Sequence, residues 1–460
     1  MTKQPMGDVV VLLPGILGSV LQRDGREIWA MSPGAAFRAL LSLGGSIKDL
    51  RLEGDDPEAD DLGDGVAASR VLPDLHLVPG LWKIDGYTAI ARALHDRFDL
   101  VEGRNYFEFP YDWRRDNRVH GRALARQAHD WLTTWRAESG NADAKLVLLA
   151  HSMGGLVSRA FLELYDGWKE TRALITFGTP YRGSLNALDF LSSGFKKGIG
   201  PVGLDLTEFL RSLTSVYQLL PIYPVIESSD GATLRVAETD LPGVDRRRAQ
   251  EALDFHRQIE SAVEEHRADG EYVDGGYRLY PVVGIGQPTL QGARLEGAAV
   301  SLLRDLGGRD LGGDGTVPRV SAMPIEMTDA SSGVFSPAVH SSLQNTESVI
   351  AQVAGIVTGG EIDLSGFRDR YAGLSLDLPD IVGHGEGIPI AARPTGGRDD
   401  TLRASVVDAD TGEEAWMGTL VEGVEWHVAA TPPLASGIYR VSVSGRAGSV
   451  TDLTWVAPQE

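Results

Sequence analysis

The segment Ala150-His151-Ser152-Met153-Gly154-Gly155 constrains this chain more than any other stretch of it. It follows a strand-like run, Lys145 to Ala150, and precedes a helix-patterned segment, Leu156 to Leu164. A serine placed between strand and helix in this way sits on a tight, strained turn. The residues two before and two after it must be small, because the two backbones close on each other there. Ala150 and Gly154 meet that need, with Ala150 standing where glycine is usual. The spacing therefore predicts a strand–turn–helix unit that presents Ser152 at the end of a buried strand.

The surrounding chain fits such a unit. Val9 to Leu13, Tyr106 to Phe109, Arg172 to Phe177 and Tyr280 to Gly284 are further runs of strand length. Their near-continuous apolarity predicts burial on both faces, as in a parallel sheet. Between them lie amphipathic helical segments, Gly86 to Phe98 and Gly121 to Arg136, the second with Trp131 and Trp135 on one face. Strands alternating with helices to about residue 360 imply an α/β fold with right-handed crossovers. Two stretches break the rhythm and are expected to be cap or lid insertions. One is Ala35 to Leu52 with the acidic loop Glu53 to Asp64. The other is the Gly-rich loop around Lys196 and Lys197, followed by the Leu-rich Leu204 to Ile226. From about Asp363 short alternating segments take over: Leu402 to Val407, Val424 to Ala430, Ile438 to Val443 and Leu453 to Val456. Turn-rich sequence separates them, and Asp408 to Gly412 reads as a hairpin turn rather than a calcium loop. A division into residues 1–360 and a small β-sandwich over 363–460 is expected.

Composition narrows the function classes. A formal charge of -21 argues against nucleic acid, whose phosphates reward clustered Lys and Arg. It also disfavours simple adhesion to an anionic bilayer, so a membrane contact would need a local apolar or basic patch. With no cysteine, disulfides, thiolate metal sites and a cysteine nucleophile are excluded. No run approaches the roughly 18 apolar residues of a spanning helix. Met1 to Asp8 is short and polar, unlike an export signal. The expectation is a cytoplasmic protein, peripheral to a membrane at most.

Ser152 needs a base and a group that orients the base, in the chain order serine, acid, histidine. Downstream, His256 and His266 fall in a charged helical stretch and are expected to be solvated, whereas His384 and His427 fall in the β-rich region. His340 lies in a loop ahead of a helix beginning near Ser342, which suits the base. Asp314, in Gly312-Gly313-Asp314-Gly315-Thr316-Val317-Pro318, is the first candidate for the acid, with Asp305 and Asp310 as alternatives. An oxyanion hole needs N–H donors aimed at the developing charge. Met153 follows the serine, and Ile16 sits in Pro14-Gly15-Ile16-Leu17-Gly18-Ser19 after the first strand. The chemistry these residues predict is two-step acyl transfer, with no metal and no organic cofactor.

Leu13 to Ser19, Tyr111-Asp112-Trp113-Arg114, Ala150 to Gly155, Gly178-Thr179-Pro180-Tyr181-Arg182-Gly183-Ser184, Gly313 to Pro318 and His340 occur in that order. This ordered set resembles the lecithin:cholesterol acyltransferase-like family of α/β-hydrolases, which includes lysosomal phospholipase A2 and phospholipid:diacylglycerol acyltransferases, over about residues 8 to 355. The resemblance implies Ser152, Asp314 and His340 as the triad and Ile16 and Met153 as oxyanion donors. It also implies removal of an acyl chain from a glycerophospholipid, with water or an alcohol as acceptor and water the default. Ser215 to Pro221 is similar to the segment that follows the family's lid. Tyr111 to Arg114 has two open readings, a wedge against the sheet or a substrate contact. Two other functions stay open: an esterase on soluble esters, and a membrane-attacking effector regulated by a protein partner on the C-terminal β domain.

Overall fold

The computed structural model describes residues 3–29, 50–72, 76–78, 82–84, 86–199, 202–229, 231–297, 299–327, 333–358, 373–395 and 401–458. Six strands form the central sheet: β1 (Val9–Leu13), β2 (Tyr106–Glu108), β3 (Leu146–His151), β4 (Thr171–Phe177), β5 (Arg278–Gly284) and β6 (Val334–Ser336). Their order across the sheet is β6-β5-β4-β3-β1-β2, and every pairing is parallel. All residues of β1 and β3 are buried, as both-face apolarity requires.

Helices cover the two faces. On one side α1 (Thr88–Arg97) packs with Glu347–Val357, and on the other α2 (Asn117–Ser139) packs against α3 (Gly154–Leu164). The side chain of Asp116 caps α2 by accepting from the Arg118 N–H, and Gly140 ends the helix in the left-handed region. Trp131 stacks on Phe107 with ring centroids 4.3 Å apart, so that face of α2 lies on the sheet edge. The strand order reverses at β1, which places a crevice beyond the carboxyl ends of β1 and β3.

The insertions depart from expectation in detail. Residues 35–49 of the first lie outside the described residues. The Lys196–Lys197 stretch, expected as loop, is one strand of an antiparallel hairpin, Lys196–Ile199 with Val202–Asp205. Leu204 to Ile226 forms two short helices, Thr207–Ser212 and Thr214–Gln218, whose apolar residues are buried. The acidic loop folds around Arg115, whose guanidinium donates to Asp55 and to the carbonyls of Asp56, Ala59 and Asp60. His256 corrects a second expectation. It is buried rather than solvated, and its Nε2–H donates to the Gln218 carbonyl at 2.8 Å, because Arg246–His266 packs on Thr214–Gln218. His266 pairs with the buried Glu163.

Beyond the helix Glu347–Val357, sheets of four and five strands pack over one apolar cluster that includes Leu374, Ile390, Val406, Val441 and Val450. This is a β-sandwich, with Asp408 to Gly412 at a hairpin turn. The expected boundary near residues 360–363 lies outside the described residues. Val339 belongs to the sandwich's cluster although it directly precedes His340. Among the described residues no helix is long and apolar enough to cross a membrane.

Candidate active site

Strand β3 ends in a turn where Ser152 adopts φ +52°, a left-handed conformation that costs a non-glycine residue roughly 1–2 kcal/mol. The surroundings hold it there. The Ser152 N–H donates to the Phe177 carbonyl at 2.9 Å, and the Thr179 hydroxyl donates to the Ser152 carbonyl at 2.9 Å. Gly154 has to be glycine, because a Cβ there would stand 2.5 Å from the Pro14 carbonyl oxygen. The smallness expected of this position is thus a contact between α3 and the loop after β1.

The carboxyl ends of the strands bring the distant candidates together. His340 Nε2 lies 3.0 Å from Ser152 Oγ, and His340 Nδ1 lies 2.7 Å from Asp314 Oδ2. Asp314 Oδ1 accepts the N–H groups of Thr316 and Val317 at 2.9 and 2.7 Å, which fixes the carboxylate's plane. The His340 backbone N–H donates to the Asp314 carbonyl at 2.8 Å. The three side chains belong to residues that are 1%, 4% and 1% exposed for Ser152, His340 and Asp314. The alternative acids are engaged elsewhere: Asp310 accepts from Gln291 and Gly312, and Asp305 from Gly308.

Tyr111 to Arg114 is a wedge in this structure. Tyr111 donates to the Pro14 carbonyl at 2.8 Å, the buried Trp113 donates to Ser19, and Arg114 grips Asp112 and Asp64. The segment thereby props the loop Pro14 to Ser19. In that loop Leu17 has φ +63°. Ile16 lines one pocket with Ser152, and Met153 starts α3, where the helix dipole is positive. No hydrogen bond among the described residues occupies the Ile16 or Met153 N–H. The rest of the lining is mostly apolar, with Phe190 and, from the insertion, Leu210, Leu213, Val216 and Leu219, and the pocket holds only ≈ 20 Å³. Among the described residues no group of three or more His, Asp and Glu is placed to hold a metal.

Three further residues shape the site. Gly178, at φ +58°, passes so close that a Cβ would lie 2.8 Å from both Asp314 Oδ2 and His340 Nδ1. His151 is fully buried, and desolvation lowers its pKa to about 3, so it is neutral. Its Nε2–H donates to the His340 carbonyl at 3.1 Å, which leaves Nδ1 to accept from the Tyr87 hydroxyl at 3.0 Å. Tyr87 in turn accepts the Gly15 N–H at 2.8 Å. His151 was adjacent to the serine and could have been suspected; Tyr87 could not.

The lecithin:cholesterol acyltransferase family model matches residues 83–257, which hold the wedge, the nucleophile turn, Gly178 to Ser184 and the apolar insertion. Over that segment this chain is similar to the lecithin:cholesterol acyltransferase family. Human lysosomal phospholipase A and acyltransferase is 33% identical over 119 residues, 24% of this chain and 27% of that protein. Lecithin-cholesterol acyltransferase-like 4 of Arabidopsis thaliana is 31% identical over 127 residues, 27% of this chain and 22% of that protein. The matches therefore span about a quarter of these relatives' length. Among solved structures, a Bacillus licheniformis lipase in its mature form has a TM-score of 0.36 at 12% identity, covering 77% of this chain and 94% of that one. At that score the likeness adds nothing to the sheet order above. Asp314 and His340 lie beyond the matched segment, so their place rests on the geometry alone.

Proposed function

We propose that the chain is a serine acyl hydrolase or acyltransferase acting on fatty acyl esters of glycerophospholipids. The observation that carries this reading is the unbroken contact Ser152–His340–Asp314 beside an apolar pocket, in a chain whose residues 83–257 match the lecithin:cholesterol acyltransferase family model. His340 takes the Ser152 proton as the serine attacks the ester carbonyl, and Asp314 holds the imidazole. The Ile16 and Met153 N–H groups receive the oxyanion, and His340 protonates the departing alcohol. The acyl group on Ser152 then passes to water, or to an alcohol held in its place. Nothing in this sequence of steps requires a metal.

A pocket of ≈ 20 Å³ holds about one water, so a fatty acyl chain enters only after Thr207–Ser212 and Thr214–Gln218 shift. Contact of their apolar residues with a lipid surface would offset the cost of that shift. This is the basis for placing the enzyme peripherally at a membrane.

The test is to incubate the protein and Ser152→Ala with mixed phospholipid vesicles and identify products by mass spectrometry. Free fatty acid and lysophospholipid from the wild type alone support a phospholipase, and an acylated alcohol a transferase. Cleavage of short soluble esters without any lipid product would remove the lipid assignment.

A further inference from the structure

A second cavity, of ≈ 260 Å³, adjoins the apolar pocket but has none of that pocket's Leu213, Val216 or Ser152 in its lining. Asp314 and His340 line it, and it meets the apolar pocket at Asn186 and Thr316, which line both. Its far wall comes from the C-terminal sandwich, chiefly Leu376, Asp377 and Leu378.

The sandwich is locked to the loops that carry the acid and the base. Buried Gln287 donates through Nε2 to the carbonyls of Pro337 at 2.7 Å and Leu374 at 3.0 Å, and its Oε1 accepts the Leu376 N–H at 3.0 Å. Its own backbone N–H donates to Gly313, the residue before Asp314, at 3.0 Å. One side chain thus ties the first strand of the sandwich, Leu374–Asp377, to the Asp314 loop. Val339, buried in the sandwich's apolar cluster, ties it to His340.

The reaction assigns this cavity a content. His340 has to protonate the leaving oxygen, so the alcohol portion of the ester must lie on the His340 side of Ser152. The apolar pocket, which Ser152 lines together with Leu210, Leu213 and Val216, has the chemistry an acyl chain requires. At ≈ 260 Å³ the second cavity is near the lower end of small-molecule sites, about 300–1,000 Å³, which suits a compact polar group. Resting on the function proposed above, we infer that this cavity is the subsite for the alcohol portion of the ester and that Leu376, Asp377 and Leu378 of the C-terminal sandwich determine which alcohol is accepted. The sandwich is then a wall of the active site as well as an appended module.

The experiment compares full-length protein on octanoyl esters of methanol, glycerol and glycerol 3-phosphate, and on a second series varying acyl length at fixed alcohol. Leu378→Trp, which fills the cavity, should lower kcat/KM for the glycerol esters at least tenfold more than for the methyl ester, with the acyl-length ranking retained. Asp377→Arg, at a half-exposed side chain that tolerates change, should raise the ratio for glycerol 3-phosphate ester over glycerol ester severalfold, the more so at low salt. If both variants scale all esters alike, or reorder acyl lengths instead, the inference is overturned. Labelling of Ser152 by a fluorophosphonate separates the two levels. Labelled protein with unchanged alcohol ratios overturns the sandwich's role alone, whereas protein that neither labels nor turns over any ester overturns the hydrolase reading and this inference with it.

Discussion

The Tyr87 hydroxyl donates to His151 Nδ1 at 3.0 Å while accepting the Gly15 N–H at 2.8 Å. Through His151 Nε2–H and the His340 carbonyl, this bridge links the loop that carries Ile16 to the backbone of the candidate base. It leaves the reacting atoms untouched and restrains how far apart the Ile16 loop and His340 can drift.

Tyr87→Phe removes both hydrogen bonds and leaves two buried polar groups without partners, at about 1–3 kcal/mol each. Loss of a whole oxyanion donor costs about 100- to 1000-fold. A loosened one should lower kcat roughly ten- to a hundredfold, with KM little changed. Steady-state kinetics on a soluble ester, alongside a thermal melt, reads this. Wild-type kcat in a destabilised protein would mean the bridge serves folding only.

Gly178→Ala tests the closest approach in the site. A methyl group 2.8 Å from Asp314 Oδ2 and His340 Nδ1, on a backbone at φ +58°, must push the pair apart. Activity should fall at least a hundredfold, because a 1 Å misplacement is of that order. Circular dichroism should still report a folded chain, and retention of activity would show that the loop can yield.

Stability should decline as pH falls from 7 towards 4. Burial lowers His120 and His256 to about 4 and His151 to about 3, below the roughly 6.5 of an unfolded histidine. In that window the unfolded chain binds more protons than the folded one, so stability is present above about pH 6.5 and is lost on acidification. Each group contributes about 1.4 kcal/mol per pH unit while folded and unfolded forms differ. Burial raises the Asp55 and Glu108 carboxyls, which takes back part of the loss at the acid end. Urea midpoints between pH 7 and 5 read the effect, and a midpoint that rises on acidification would contradict it.

Arg114→Met should destabilise the chain by about 3–5 kcal/mol, since it strands the buried Asp112 carboxylate that Arg114 holds through Nε and Nη2. Arg114→Lys should rescue little, for a lysine cannot reproduce the fork. Urea unfolding of the three proteins distinguishes this from a surface ion pair, which would move the midpoint hardly at all.

The sequence by itself determined what is local. Apolar runs such as Val9–Leu13 encode their burial in every residue, and the strain at Ser152 is written in the small residues Ala150 and Gly154 that flank it. Chain order and local texture then pointed to His340 as the base and to Asp314 as the first of three candidate acids, because the other histidines fell in segments of the wrong texture. Tertiary structure decided whatever depends on which surfaces meet. His256 looked solvated because its helix is charged, yet its face is covered by Thr214–Gln218. Tyr87 reaches His151 across 64 residues, and Gln287 reaches Leu376 across 89. Such pairs leave no periodicity or turn signature, since each residue taken alone is compatible with many environments. Their roles exist only once the parallel sheet has carried its strand ends, and the loops that follow them, to one edge.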